Sequence, residues 1–392
     1  MTCETSFKIV EKAASLNFER CGIVGVDKMR EYGAKVAGRI ARFPESAGMY
    51  RRFLAFAEPE KDFPWARSVV ACSWRLGVYR VPEELAGLIG KQYLFDGRRD
   101  KNSAEYRALT ALERYMTEEL GLRAASSHDY GITSCRWAAF ASGIGTIRRN
   151  NFFYGDHGSY YSLTVFLIDE AMEYTYTPTR KPCPDNCNLC VKHCPTGALA
   201  EPYAVCGTAC VSFLTNKAPD NGDFEKYSAK IGKWIYGCDV CQDVCPFNRG
   251  QWQENEEFPG IVNLSDSISP EKIVTMDYDC LREVIAPKFW YIDSKDLWKW
   301  KRNALYAMRN TGHKNYEAAL KFALNDEDER VRNLAGETLA TGLMNAADSM
   351  AVRDLTTIIN SADSEEMKTS GTTLGAETHG LPKIFGDNRS AD

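Results

Sequence analysis

The chain has 392 residues, enough for two or three domains, and its 44% hydrophobic and 26% charged residues are those of an ordinary globular protein. A net charge of −5 excludes a global basic field for nucleic acid, so any basic binding face has to be local. No apolar run reaches membrane-spanning length and Met1–Lys8 starts no signal peptide, which predicts a cytoplasmic protein with no membrane partner. In that reducing setting Cys3, Cys21, Cys72, Cys135 and Cys280 read as free thiols.

Residues 1–177 read as a front domain. Phe7, Val10, Ala13 and Leu16 recur at helical spacing. Cys21-Gly-Ile-Val-Gly-Val and Arg67–Trp74 follow as strands, the second apolar enough to be buried in a sheet. Tyr106–Leu120 has helical spacing through Leu109, Leu112, Tyr115 and Met116, and Tyr161–Ile168 is rich in β-branched and aromatic residues. Helices alternating with strands predict an α+β protein whose front domain is of α/β type.

Inside this domain a helix-like run to Ser142 leads into Gly143-Ile144-Gly145-Thr-Ile-Arg148-Arg149-Asn150-Asn151. Arg148 occupies the third glycine position of a dinucleotide loop and no strand precedes the run, so a Rossmann reading is rejected. The expectation is a loop whose backbone approaches a large flat or anionic ligand, with Arg148 and Arg149 free for phosphate or carboxylate. A plain solvated turn is the other reading.

Residues 178–250 carry the strongest signal. Cys183-x3-Cys187-x2-Cys190-x3-Cys194-Pro, a later Cys210, and Cys238-x2-Cys241-x3-Cys245-Pro give eight thiols. In the bacterial ferredoxin pattern C-x2-C-x2-C-x3-C-P the fourth cysteine crosses to the other [4Fe–4S] cluster. By that rule Cys183, Cys187, Cys190 and Cys245 hold one cluster, and Cys210, Cys238, Cys241 and Cys194 the second. The first gap is one residue longer than the pattern, which a turn at Asp185-Asn186 can absorb. Cys206 is a spare beside Cys210. The Cys-Pro endings favour iron–sulfur over structural zinc.

Residues 251–292 are acidic and read as an irregular connector. Residues 293–360 return to helical spacing, with Asn325–Ala335 resembling a HEAT-type helix pair, and 361–392 read as a disordered tail.

This order of parts resembles the epoxyqueuosine reductase family, cobalamin- and iron–sulfur-dependent enzymes of tRNA queuosine synthesis. The resemblance rests on Cys187–Ala198, Cys210-Val-Ser-Phe-Leu-Thr215, Ile235–Asn248, Arg302-Asn-Ala304 and Asp328-x2-Val331-Arg332. It implies a cobalamin against Gly143, Ile144, Gly145, Arg148, Arg149, Asn150 and Asn151. It also implies a proton-donating acid, which maps to Asp129, fourteen residues before Gly143. Tyr130 is the neighbour to watch, because the related reductive dehalogenases protonate from tyrosine. The implied partners are a low-potential donor of ferredoxin or flavodoxin type and tRNA. A phosphate-binding face is expected on Lys295, Lys299, Lys301, Arg302, Arg309 and Lys314, extended by Arg148 and Arg149. Two departures keep a different substrate open. The family's Asp-Tyr-His segment is replaced by Tyr93–Asp100 without the histidine, and its Gly-Lys after the glycine loop by Arg148-Arg149. The rival readings are a corrinoid reductase of a small molecule such as an organohalide, and a non-enzymatic electron carrier.

Overall fold

A computed structural model describes residues 2–126, 131–177, 182–219, 222–312 and 316–341. Asp129, Tyr130, Pro178, Lys314 and the tail 361–392 lie outside the described residues. In the front part the strands are β1 (Arg20–Gly25), β2 (Ser68–Arg75), β3 (Ala124–Ser126), β4 (Thr146–Ile147), β5 (Phe153–Tyr154) and β6 (Tyr161–Ile168). Four of them form a sheet in the order β1-β2-β6-β3, and every pairing is antiparallel. Cys21 faces Cys72, and Cys72 faces Thr164 across the next ladder.

Side chains alternate between the two faces of a strand. Ile23, Val70, Cys72, Phe166 and Ile168 pack on one face with Ile9 and Ala13 of helix Thr2–Ser15 and Leu109 and Leu112 of helix Ala104–Arg114. Val24, Val69, Ala71, Val165 and Leu167 pack on the other with helices Arg30–Arg42 and Cys135–Ala141. The α/β expectation for the front domain is corrected to an antiparallel α+β layer. A strand covered on both faces reads as a continuous apolar run whichever way its neighbours point. The first helix also turns differently than expected. Ser6, Ile9 and Ala13 face inward, while Phe7 is 48% exposed.

The connector is corrected too. Residues 251–292 hold helices Ile261–Ser265, Pro270–Thr275 and Tyr278–Cys280 and a π turn Leu281–Ile285. Ser269 and Asp277 cap two of them, accepting from the amides of Lys272 and Cys280. Ile261, Ile268, Ile273, Val274, Leu281, Ile285 and Phe289 are buried. Each helix is under two turns, too short to show a periodic stripe. The front sheet, the cysteine module and the helices after residue 293 share this hydrophobic core, and Met1–Leu339 is a single compact unit.

Helices Trp298–Thr311 and Glu317–Ala323 follow, with helical backbone again over 329–341. Among the described residues no helix is long and apolar enough to cross a membrane.

The basic face expected on helix Trp298–Thr311 does not form. Lys299, Lys301 and Arg302 are buried. Lys301 Nζ pairs with Asp326 at 2.6 Å, with both side chains enclosed, and Lys299 Nζ reaches Asp296 at 2.9 Å. Arg309 pairs with Glu225. Trp300, fully buried, stacks on Tyr236 with centroids 4.9 Å apart and planes 3° from parallel. A run of cations with one intervening acid gave no sign that its partners lay elsewhere in the chain.

Candidate cofactor and substrate site

The cysteines fall into two groups. Cys183, Cys187, Cys190 and Cys245 surround one small cleft with Arg148, Arg149, Tyr154 and Phe247. The extra residue between Cys183 and Cys187 is absorbed by a turn at Asp185-Asn186, closed by the Cys187 amide donating to Pro184 O at 3.0 Å. Arg149 clamps this turn, donating to Cys187 O, Asn188 Oδ1 and Asp185 O, each at 3.1 Å. Arg148 is buried, its guanidinium 3.3 Å from the Phe247 ring centroid and 3.9 Å from Cys183 Sγ. The two arginines therefore serve the cysteine module. They extend no phosphate face and do not line the larger cavity described below.

Cys194, Cys210, Cys238 and Cys241 form the second group, within electrostatic reach of one another. Cys210 immediately precedes helix Val211–Asn216, and the amides of Ser212 and Phe213 point back at its sulfur. The end of that helix is held from a distance. Arg302 donates to Leu214 O at 3.0 Å and Ala218 O at 3.2 Å, and Asn303 Nδ2 donates to Thr215 O and Ile235 O at 2.8 Å each. Thr215 Oγ1 accepts from the Gly237 amide at 2.9 Å, next to Cys238. Arg302 and Asn303 thus satisfy terminal helix carbonyls and brace two of the cysteine-bearing segments together. Cys206 stands apart, bonded to Glu45. Among the described residues no three His, Cys, Asp or Glu side chains converge tightly enough for a single bare ion. A cubane needs its thiolates spread around a larger core.

The second group forms part of the wall of a cavity of about 520 Å³. The same cavity is lined by aromatic residues of the front part, chiefly Tyr50, Phe53, Phe56, Phe152, Phe153 and Tyr161. Asn150 and Asn151 lie on the wall. Asn150 Nδ2 donates to Tyr154 Oη at 2.8 Å and Cys241 O at 3.1 Å. Asn151 sits at φ 63°, a left-handed conformation asparagine tolerates. Its Oδ1 accepts from Arg39 at 3.0 Å and its O from Arg136, while its Nδ2 is buried with no partner. Burial pushes the Tyr50 phenol up to about 12, and its hydroxyl donates to Val205 O at 2.6 Å. Tyr161 is also raised, first by burial and then by Glu19.

The glycines of the predicted loop lie behind this wall. A Cβ on Gly143 would collide with the Tyr176 carbonyl, and one on Gly145 with the Phe153 ring. Ile144 is 1% exposed in the core. Gly143 and Gly145 admit neighbouring chain and Ile144 is core, so of the predicted ligand-facing run only Asn150 and Asn151 lie on the cavity wall. Sequence reading missed Arg39, Tyr50, Phe53, Phe56 and Gln92 on the wall. The three-residue spacing of Tyr50, Phe53 and Phe56 was the available signal.

A 4Fe–4S double cluster binding domain matches residues 183–248. An epoxyqueuosine reductase of Cellulophaga algicola is 33% identical over 148 residues, 36% of this chain and 46% of that protein. That of Leadbetterella byssophila is 30% identical over 265 residues, 66% of this chain and 85% of that protein. A solved epoxyqueuosine reductase with an epoxyqueuosine-modified tRNA-Tyr stem loop shares the fold, with a TM-score of 0.64 at 20% identity over 87% of this chain and all of that one. On the extent of the Leadbetterella match and the double-cluster domain, the chain belongs to the epoxyqueuosine reductase family of oxidoreductases.

Proposed function

We propose that the chain reduces epoxyqueuosine in tRNA to queuosine, with two [4Fe–4S] clusters and a cobalamin as cofactors. One observation carries this reading: four cysteines of the cluster domain and the aromatic face of the front domain line the same cavity. We assign Cys183, Cys187, Cys190 and Cys245 to one cluster and Cys194, Cys210, Cys238 and Cys241 to the cavity-facing one. Removing the epoxide oxygen as water and leaving a carbon–carbon double bond consumes two electrons and two protons. The clusters, when bound, supply electrons singly at low potential, and the cobalamin supplies a metal centre able to handle the pair. The electrons come from a donor of ferredoxin or flavodoxin type.

The residues fit a corrin. Its rim carries amide oxygens, and Asn151 holds a buried, unpartnered Nδ2 at the wall. Arg39 and Arg136 fix the Asn151 side chain and backbone, so that donor is set before anything binds. The aromatic wall excludes water, which strengthens every polar contact inside. Tyr50 and Tyr161 keep their protons near neutral pH, but their hydroxyls are engaged by Val205 O and Glu19. We assign the proton-donor role to Asp129 on the family resemblance, with Tyr130 as the alternative donor. Thr133 and Ser134, four and five residues after Asp129, line the cavity. An apolar setting keeps a carboxylic acid protonated at neutral pH.

The test is anaerobic incubation of iron- and cobalamin-loaded protein, a low-potential reductant and tRNA carrying epoxyqueuosine, followed by nucleoside analysis. Queuosine formation is expected. Unchanged epoxyqueuosine together with halide release from an organohalide would replace this reading with the small-molecule reductase.

A further inference from the structure

The cysteine group that does not line the large cavity has its own approach from solvent. Cys187 and Cys245 are only part-buried, and the cleft they share with Cys183 and Cys190 has Leu189 and Phe247 in its lining. Helix Leu189–His193 buries Cys190. Its Leu189, Lys192 and His193, at positions i, i+3 and i+4, share one face, and all three are exposed.

Tyr203 belongs to the same neighbourhood. It sits in the turn between strands Leu199–Glu201 and Ala204–Val205 at φ 64°, a conformation that bulky residues rarely adopt. Its amide donates to Arg149 O at 2.8 Å, and its hydroxyl lies within electrostatic reach of Cys183 and Arg149. Tyr203 is nevertheless 44% exposed, and Leu189 38%. Exposed apolar residues are ordinary when scattered singly, but these two flank one set of cysteines. The charge around them is positive. Lys192 and Arg249, the latter two residues after Phe247, are exposed, and their side chains have no partner among the described residues. Of the nearby acids, Asp185 lies in the turn that Arg149 clamps, and Glu201 is already paired with Arg42.

We propose that this face docks the protein that supplies the electrons, and that the docking face of that protein is acidic. The proposal rests on the reductase reading above and adds to it the surface and the charge of the partner. Each encounter passes one electron. The donor's redox group is oxidised by one, and the cluster assigned to Cys183, Cys187, Cys190 and Cys245 is reduced by one. Two encounters supply the pair that removal of the epoxide oxygen consumes. Electron transfer weakens steeply with distance, so the donor has to come over the edge of a cluster. Leu189 and Tyr203 form a small apolar centre there, and Lys192 and Arg249 draw in a face of opposite charge. Contacts between redox proteins are small, below about 1,200 Å², and charge complementarity sets how fast they form.

The test is stopped-flow bleaching of the cluster absorbance in reconstituted full-length protein with two reductants. One is a reduced acidic flavodoxin, and the other is photoreduced deazariboflavin, which is small and uncharged. With flavodoxin the wild-type second-order rate constant should fall as salt rises, a reading that needs no variant. Lys192→Glu combined with Arg249→Glu should lower that constant about tenfold at low salt. Tyr203→Asn, which suits the positive φ, should lower it at every salt concentration. Neither variant should change the rate with deazariboflavin, the iron content or the affinity for a tRNA anticodon stem-loop. A flavodoxin rate indifferent to salt and to the charge reversals, or equal slowing with both reductants, would overturn the docking face. So would a loss of stem-loop affinity on charge reversal, which would give the face to RNA. Each of these outcomes leaves the reductase reading intact, whereas clusters that deazariboflavin cannot reduce would overturn both.

Discussion

The two cysteine groups are built from similar sequence but face different surroundings. Cys194, Cys210, Cys238 and Cys241 open onto the large aromatic cavity, and their segments are braced by Arg302 and Asn303. Cys183, Cys187, Cys190 and Cys245 sit behind Arg148 and Phe247, with Arg149 clamping the local turn. One group is therefore tied to the helical end and to the cavity, and the other to the front domain's arginine pair. The difference teaches that spacing determines which thiols gather, while packing determines what each gathering confronts.

The largest effects should come from breaking one group at a time. Reconstituted protein should hold about eight irons, four per cubane. Cys241→Ala and Cys245→Ala should each lose about half of that iron, and Cys206→Ala none. Cys241→Ala should also alter corrin absorbance, and Cys245→Ala should leave it unchanged. Identical corrin spectra in the two variants would erase the distinction between the groups.

The cavity wall sharpens the comparison next. Asn151→Gly keeps the positive φ and removes the buried amide, so cobalamin affinity measured by absorbance titration should fall about tenfold with the fold intact. Gly143→Ala should instead lower the melting temperature, because its Cβ meets the Tyr176 carbonyl at φ +75°. A stable Gly143→Ala protein that cannot bind cobalamin would return the glycine loop to the ligand surface.

The brace comes third. Arg302→Met strips donors from two buried carbonyls and should cost about 3 kcal/mol in denaturant unfolding of the cluster-free protein. Reconstituted Arg302→Met should lose the cavity-facing cluster first. Preferential loss of the other cluster would place the brace wrongly.

A control touching neither group is expected to show the smallest effect. Burial and the nearby Asp96 push the Glu105 carboxyl up to about 7 from an ordinary 4.5. The folded state then binds the proton more tightly than the unfolded one. The associated stability is complete below about pH 4.5 and is lost as pH rises through about 7. Glu105→Gln should flatten that part of the stability curve and gain about 1–2 kcal/mol at pH 8. An unchanged slope between pH 5 and 8 would show that Glu105 ionises normally.

Much of the site was legible because cysteine spacing is a local property. The eight thiols, the turn at Asp185-Asn186 and the strands at Cys21, Val69 and Tyr161 follow from residues a few positions apart. What was misread depended on distant partners. Lys301 looked like a surface cation until Asp326, twenty-five residues on, was seen to enclose it. Gly143 looked like a ligand cradle because nothing nearby in sequence announces Tyr176. The sheet direction was hidden because β2 is buried on both faces. The aromatic wall at Tyr50, Phe53 and Phe56 comes from a stretch that becomes part of a cavity only when the cysteine module packs with it.

The central claim is that the cavity walled by Cys194, Cys210, Cys238 and Cys241 holds the cobalamin beside one cluster. Electron paramagnetic resonance of cobalamin-loaded, partly reduced protein tests it most directly, because a nearby reduced cluster broadens and speeds the relaxation of the cobalt signal. The account predicts strong broadening in Cys245→Ala, which keeps the cavity-facing cluster, and little in Cys241→Ala, which keeps the other. Broadening confined to Cys241→Ala, or a cobalt signal indifferent to both clusters, would contradict it.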